Sequence, residues 1–298
     1  GAYIHNLSDF WDYYWKNGEN DKLGWRLEFN MRHRGDVYAT HGLGPVAQAF
    51  DIHRGDRMVT LVAMDTKSVV GKDLVEKRTG EECDDFRNGD HTTTLIRTEN
   101  GKVIEIQHDV MTPQPYNRLY QLTGTKGVAN KYPIEGYALD AKQLNASGVA
   151  PEVDNLNSHS FMPKKDMEAL VQKYQHPILK KYGEMAKEVG GHGGMDFIMD
   201  SRLVYCLQNG LPLDMDVYDL AEWCCLAELG ELSMDNNCAA VAFPDFTRGE
   251  WNKVKGYKHA YASPEDESVA MEKAKKITAK LKEKGAVEWA GEAVENKK

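Results

Sequence analysis

Tyr38 and His41 lie three residues apart, directly before the glycine-flanked segment Gly42-Leu43-Gly44-Pro45. On a helical turn or in a tight loop, this spacing directs both side chains to the same side. An imidazole titrates near neutral pH and a phenol can donate or relay a proton. The pair is therefore suited to general acid–base chemistry on a sugar or another alcohol. A structural interpretation stays open, in which His41 caps a helix and Tyr38 packs beside it.

Other polar groups could line the same cleft. Four glycines surround His192, and Asp196 follows four residues later, where its carboxylate can orient the ring. Trp25 and Arg26 combine a stacking face with a guanidinium, and Tyr116 follows a proline. The simpler alternatives are a glycine hinge, an interdomain contact and a proline turn. Because His192 has no further ligands at a fixed spacing, we expect no metal site.

The segment Gly42-x-Gly44-x-x-Ala47 also matches the loose dinucleotide-binding fingerprint, with Asp65 as a ribose-binding carboxylate. That motif requires a buried apolar strand before its first glycine. Residues 34–40 are polar and too short for such a strand. We therefore predict that this segment is not part of a nucleotide-binding fold.

Composition excludes several classes of function. The 298 residues have 37 basic and 46 acidic side chains and a net charge of −9, without a basic stripe, which argues against nucleic-acid binding. No apolar run approaches the length of a membrane span. The five cysteines lack CxxC spacing, so they predict neither a zinc site nor a disulfide framework.

Strands and helices are predicted in separate parts of the chain. Alternating patterns predict strands at 3–7, 57–65, 92–98, 102–111 and 117–122, with a hairpin turn at Asn100-Gly101. In the strand at 102–111, one face is apolar with His108, and the other carries Glu105, Gln107 and Asp109. Helices are predicted at 45–53, 163–174, 177–189, 195–209, 216–234 and 263–284. We expect an α+β fold: a mostly antiparallel open sheet with helices packed on one face.

An ordered set of motifs resembles a known family. The set contains Gly1-Ala2-Tyr3-Ile4-His5, Gly24-Trp25-Arg26, Tyr38-x-Thr40-His41-Gly42-Leu43-Gly44-Pro45, Pro115-Tyr116-x-Arg118, Gly124-Thr125-Lys126-Gly127, Gly191-His192-Gly193-Gly194-Met195-Asp196 and Phe243-Pro244-Asp245-Phe246-Thr247-Arg248-Gly249. Together these resemble glycoside hydrolase family 109, the NAD-dependent α-N-acetylgalactosaminidases within the Gfo/Idh/MocA oxidoreductase superfamily. The resemblance extends from Gly1 to about Trp251.

The resemblance implies a C-terminal substrate domain, with the N-terminal Rossmann domain expected upstream and missing from this chain. We expect the substrate domain at 1–262 and a charged helix and tail at 263–298. NAD would bind the longer protein and not this fragment alone, which we expect to be inactive. Members of the family are often exported, so the resemblance implies an exported or periplasmic location.

The resemblance also implies roles for individual residues. His41, Tyr38 and Tyr3 would be catalytic: His41 as the acid–base group near C3, and Tyr3 as the phenol for the C2 proton. Arg26 and Tyr116 would hold the hydroxyls and the N-acetyl group of a terminal N-acetylgalactosamine. The further substrate-binding side chains would be Trp25, His192 and Asp196.

Two alternatives remain at this stage. One is an NAD(P)-dependent sugar oxidoreductase of the same superfamily, which would accumulate NADH instead of returning NAD unchanged. The other is a non-catalytic module for oligomerisation or sugar binding. In each case the uncovered sheet face is expected to form a homo-oligomer, because a wide bare sheet favours pairing.

Overall fold

The computed structural model describes residues 1–5, 24–140, 158–209 and 213–253. Its strands are β1 (Ala2–Ile4), β2 (Met58–Asp65), β3 (Thr92–Thr98), β4 (Val103–Asp109), β5 (Tyr120–Gly124), β6 (Gly127–Lys131), β7 (Gly136–Leu139) and β8 (Val241–Ala242). Its helices are α1 (Trp25–Arg32), α2 (Ala39–Ala49), α3 (Val70–Thr79), α4 (Lys164–Tyr174), α5 (Pro177–Val189), α6 (Met195–Asn209) and α7 (Val217–Asp235). The predicted division at residue 262 and the helix at 263–284 lie outside the described residues.

A five-stranded open sheet in the order β1-β4-β3-β2-β8 is the centre of the fold. The short β1 pairs parallel with β4, and the remaining pairs are antiparallel. Helices α2 and α7 cover one face, where their apolar side chains meet those of the sheet in one buried cluster that includes Leu43, Leu61, Ile96, Ile106 and Leu226. The predicted α+β class, with a mostly antiparallel sheet and helices on one face, is confirmed.

The opposite face of this sheet is bare within the described part of the chain. Strand pleating puts Met64, Leu95 and Val103 on that face, and they are 61%, 47% and 64% exposed. Among the helices that the structure describes, none is long and apolar enough to cross a bilayer.

The predicted helix at 45–53 was wrong in its limits, because α2 runs from Ala39 to Ala49 and contains Pro45 in its interior. A proline has no N–H, so it cannot bond to the carbonyl four residues earlier, which is that of His41. The hydroxyl of Tyr120 donates to the His41 carbonyl instead. A partner from a distant strand thus lets the helix begin six residues before its proline.

Two further strand assignments differ from the prediction. The predicted strand at 117–122 does not continue the main sheet: β5 belongs to a second sheet, in the order β5-β6-β7. Only Asn117 and Leu119 reach β1, through backbone hydrogen bonds with Ile4 and Ala2. Asp109 was predicted on the wet face but is buried, because the chain turns after β4 and its carboxylate accepts the N–H groups of residues 111 and 112.

Candidate functional site

Tyr3, Tyr38 and His41 form a compact triangle of rings. Strand β1 holds Tyr3 against β4, while Tyr38 is the N-cap of α2 and His41 lies in its first turn. The Tyr3 ring stacks on the Tyr38 ring at 5.0 Å between centroids. The His41 ring is 4.7 Å from that of Tyr3 and 4.6 Å from that of Tyr38. Helical spacing brings two of the rings together, and the sheet supplies the third.

Arg118 fixes a set of phenols at one side of this triangle. Its Nη1 donates to the hydroxyl of Tyr116 at 3.1 Å, and its Nη2 donates to that of Tyr120 at 2.9 Å. The guanidinium lies 5.9 Å from the centre of the Tyr3 ring. Because Tyr120 in turn donates to the carbonyl of His41, a continuous chain of contacts fixes His41 relative to Arg118.

Arg26 lies at another side of the triangle, at the start of α1. Its guanidinium is 5.1 Å from the Trp25 ring and 5.6 Å from the Tyr38 ring, both distances at which a cation is attracted to an aromatic face. Trp25 itself is 66% exposed, so its ring is available for stacking on a ligand. The structure therefore groups Tyr3, Tyr38, Arg26 and Trp25 with His41.

Electrostatics keeps His41 neutral. Burial lowers the pKa of His41, and together with the nearby charges of Arg118, His5 and Arg26 it brings the pKa to about 4. At neutral pH the imidazole therefore has an unprotonated nitrogen that can accept a proton or a hydrogen bond.

His192 and Asp196 contact each other at the turn between α5 and α6. The Nδ1 atom of His192 lies 2.8 Å from Oδ2 of Asp196, and both side chains are exposed. The predicted pairing of carboxylate and ring is present. The contacts that the structure describes for this pair do not reach the Tyr3 triangle, so its predicted role in the pocket stays a prediction.

Several residues of the cluster were not among the site residues predicted from the sequence. His5 lies with its ring 5.9 Å from Tyr3 and 5.0 Å edge-on from Tyr116. A spacing of two residues in the sequence could have indicated some of them, because side chains at i and i+2 of a strand share a face. His5 and Tyr3 are so spaced, as are Arg118 and Tyr120. His108, on β4, lies 6.2 Å from the Tyr3 ring and was predicted only as a member of the apolar face.

Gly42 and Gly44 do not form a phosphate cradle for a dinucleotide. Gly42 and Gly44 lie inside α2 and are buried. A Cβ at Gly42 would lie 3.0 Å from Ile106, and one at Gly44 would lie 3.3 Å from the Trp223 ring. These glycines permit close packing of the helix on the core.

One buried group in the described residues has atoms at the spacing of metal ligands. His53, Asp216 and Asp219 each place one such atom within 4.8 Å of the others. Arg54 already donates to Asp219 at 3.0 and 2.8 Å and to Asp216 at 3.2 Å. We interpret the group as an ion-pair cluster that joins the end of α2 to the start of α7.

Comparison with known proteins places these findings in a family. The model of "Glycosyl hydrolase 109, C-terminal domain" matches residues 1–253. Glycosyl hydrolase family 109 protein 5 of Phocaeicola vulgatus is 85% identical over this whole chain, which covers 57% of that protein. Glycosyl hydrolase family 109 protein 1 of Bacteroides thetaiotaomicron is 62% identical over 88% of this chain and 54% of its own length. The chain spans a little more than half the length of these curated relatives.

Solved structures resemble the chain more distantly. An oxidoreductase domain protein from Kribbella flavida is 15% identical, with a TM-score of 0.48 over 82% of this chain and 58% of the other. A levoglucosan dehydrogenase in complex with NADH is 16% identical, with a TM-score of 0.47 over 82% and 57%. These scores are too low to support an argument about function. The match over residues 1–253 does show the family: the chain belongs to glycosyl hydrolase family 109 and corresponds to its C-terminal domain.

Proposed function

We propose that this chain is the substrate-binding portion of an NAD-dependent retaining glycosidase that removes terminal α-N-acetylgalactosamine. The observation that carries the proposal is the ring triangle of Tyr3, Tyr38 and His41 with Arg26 and Arg118 on its sides. Proton donors and acceptors stand together there, next to two fixed positive charges. This combination suits a reaction that moves protons at a sugar ring while negative charge develops.

In this proposal the nicotinamide, held elsewhere in the longer protein, supplies reversible oxidation at C3 of the sugar. The residues of this chain handle the protons. His41, neutral because of its burial and its cationic neighbours, accepts the proton of the C3 hydroxyl. Tyr3 takes the proton from C2, which the oxidised neighbouring carbon makes acidic. Arg26 and Tyr116 bind hydroxyls and the N-acetyl group, and Trp25 stacks on the sugar face.

The guanidiniums have a second role in the proposal. Loss of the C2 proton leaves negative charge shared between C2 and the C3 oxygen. Arg118 lies 5.9 Å from the Tyr3 ring and is held by Tyr116 and Tyr120, so its charge is already in position before the reaction. Fixed charge of this kind costs no reorganisation at the transition state.

The test uses the longer protein that contains this chain. With 4-nitrophenyl α-N-acetylgalactosaminide as substrate, we expect release of nitrophenol without net absorbance at 340 nm, because NAD returns to its starting state. Accumulation of NADH from free sugars without nitrophenol release would instead indicate a sugar dehydrogenase. If neither signal appeared, the proposed substrate would be wrong and a non-catalytic role would gain support.

Variants assign the roles within the triangle. We expect Tyr3→Phe and His41→Asn each to lower kcat by about 10²- to 10⁴-fold, the usual contribution of a general acid or base. Tyr174→Phe is the matched control, because Tyr174 is an exposed tyrosine on α4. If Tyr3→Phe left the release of nitrophenol unchanged, the proposed role of Tyr3 would be wrong.

We also propose that the bare face of the five-stranded sheet forms a homo-oligomer interface. Met64, Leu95 and Val103 are exposed on one face of three neighbouring strands, at diagonal positions, and exposed apolar side chains on one face commonly mark interaction surfaces. Light scattering at micromolar concentration should give a mass of at least twice the chain, and Leu95→Glu should lower that mass. A monomer under these conditions would refute the interface.

A further inference from the structure

Two buried polar side chains lie directly behind the ring triangle and lack hydrogen-bond partners at the atoms that face each other. Asp36 precedes α2 and His108 lies on β4, and each is only 2% exposed. In the described part of the chain, neither carboxylate oxygen of Asp36 has a hydrogen-bond partner, and neither does Nε2 of His108. Because buried polar groups are nearly always paired, an isolated acid and an isolated imidazole at one place point to a function.

The imidazole of His108 and the carboxylate of Asp36 lie close enough to interact. Nε2 of His108 lies 3.9 Å from Oδ1 of Asp36, slightly beyond hydrogen-bond distance. Apo structures often hold catalytic hydrogen bonds at such lengths, and the bonds shorten when the substrate binds. Asp36 is only two residues before Tyr38, the N-cap residue of α2, so its carboxylate lies next to the ring triangle in the chain. The pair is therefore arranged as an imidazole with a carboxylate behind it.

A small cavity connects His108 with the phenols. Its volume is about 30 Å³, and His108, Tyr3, Tyr38 and Arg26 are among the residues that line it. Most of the lining is apolar, but a space of this size has room for a single water molecule beside the polar side chains. The centroids of the Tyr3 and His108 rings, which both line this cavity, lie 6.2 Å apart.

Charge also favours an exchange of protons at this pair. Burial raises the pKa of Asp36 to about 7. Burial lowers the pKa of His108 to about 4, while the charge of Asp109 raises it and that of His91 lowers it. Near neutral pH, Asp36 is therefore close to its midpoint and His108 is an unprotonated acceptor.

We propose that Asp36 and His108 form a proton-accepting dyad for Tyr3. The inference rests on the proposed function and adds two residues to it. As Tyr3 takes the proton of C2, its own hydroxyl proton passes through the cavity to His108, and the Asp36 carboxylate stabilises the imidazolium that forms. The electron pair of the C2–H bond stays on the sugar, and the dyad gains one proton, which it returns when the cycle closes. Asp36 acts through His108 and is a positioning residue.

The first measurement needs no activity. In the longer protein labelled with ¹⁵N-histidine, the ring nitrogens of His108 should report a step in chemical shift near pH 7, when Asp36 ionises. Asp36→Asn should abolish this step. His91→Gln should leave the step in place, which shows that the step does not come from His91, the other histidine near His108. Asp73→Asn should also leave it in place, because Asp73 is exposed on α3. If the wild-type ring shows no step between pH 6 and pH 8, the dyad is refuted, and this result requires no variant to fold.

The second measurement is the pH profile of nitrophenol release. The wild-type kcat should rise through an acid limb near pH 7, because the ionised Asp36 is the active form. Asp36→Asn should lower kcat by about 10²-fold and remove that limb. A lower kcat with the limb unchanged would indicate a structural role and overturn the proposal. A His108 step in a protein that releases no nitrophenol would establish the dyad but refute its part in sugar chemistry, together with the proposed function.

Discussion

The buried cluster around His53 should make the stability of the chain depend on pH. Nδ1 of His53 lies 2.9 Å from Glu222, and Nε2 lies 3.3 Å from Asp216. Burial and the charge of Arg54 lower the pKa of His53, but the contact with Asp216 and the hydrogen bond and charge of Glu222 outweigh them and raise the pKa to about 9. In the unfolded chain a histidine titrates near pH 6.5. The folded state therefore holds its proton more tightly.

The magnitude follows from this difference. A separation of roughly 2.5 pH units, at about 1.4 kcal/mol for each, gives ~3.5 kcal/mol of stabilisation by protonated His53. Since the folded pKa lies above the unfolded one, this contribution is fully present below pH 6.5. It is lost as the pH rises from 6.5 to about 9. The side chain is 4% exposed, so solvent screens the interaction little.

Urea unfolding at pH 6.0 and pH 9.5, followed by tryptophan fluorescence, measures this contribution for the wild type and for His53→Gln. We expect the difference in free energy of unfolding between the two proteins to be about 3 kcal/mol larger at pH 6.0 than at pH 9.5. His192→Gln is the control, because that ring is exposed. If the difference between wild type and His53→Gln were the same at both values of pH, the assignment of a protonated His53 would be wrong.

Three other predictions concern the core, the second sheet and metal binding. Leu226→Ala should lower the free energy of unfolding by about 2–5 kcal/mol in urea, because Leu226 is fully buried, whereas the half-exposed Leu232→Ala should cost less than about 1 kcal/mol. Gly127→Ala should disrupt the pairing of β6 with β7, since its Cβ would lie 2.1 Å from the carbonyl oxygen of Ala138 at a φ of +149°. Gly124→Ala, which meets open space, should not, and hydrogen exchange of the β6 and β7 amides distinguishes the two variants. Zn²⁺ should leave the melting temperature unchanged, because Arg54 already pairs with the carboxylates of the His53 cluster; an increase at micromolar Zn²⁺ would contradict this.

Elements with local signals were predicted well. The helix at 177–189 begins at a proline and ends at a glycine, and its predicted limits are those of α5. The strand at 92–98 is rich in β-branched residues and ends at a hairpin turn, and it is β3. By contrast, α1 (Trp25–Arg32) and α3 (Val70–Thr79) were missed, because their charged and glycine-containing sequences show weak periodicity. These two helices are stabilised by the packing of Leu27 and Val75 in one buried cluster, and the sequence does not reveal this packing.

The residues of the candidate site also fall into two groups: those that sequence spacing predicts and those that only the fold brings together. Tyr38 and His41 are helical neighbours, so spacing alone brought them together. Arg118 and Tyr120 reach the triangle only because a short β1 pairs in parallel with β4 and bridges to Asn117. Asp36 and His108 are 72 residues apart in the sequence. Only the fold shows that they face each other, because neither has a local pattern that indicates a partner.

The wrong limits predicted for α2 and the position of His41 both follow from the missing N–H of Pro45. A double-mutant cycle can test this explanation. Because Pro45 has no N–H, the His41 carbonyl depends on Tyr120. Tyr120→Phe should therefore cost about 1–3 kcal/mol in the free energy of unfolding, since a partly buried carbonyl loses its partner. In a Pro45→Ala background the restored backbone N–H can bond to His41, so the same substitution should cost about 1 kcal/mol less. The lost hydrogen bonds from Arg118 are common to both backgrounds and cancel in the cycle. An equal cost in both would mean that Tyr120 does not replace the missing helical hydrogen bond, and that Arg118 alone fixes this side of the triangle.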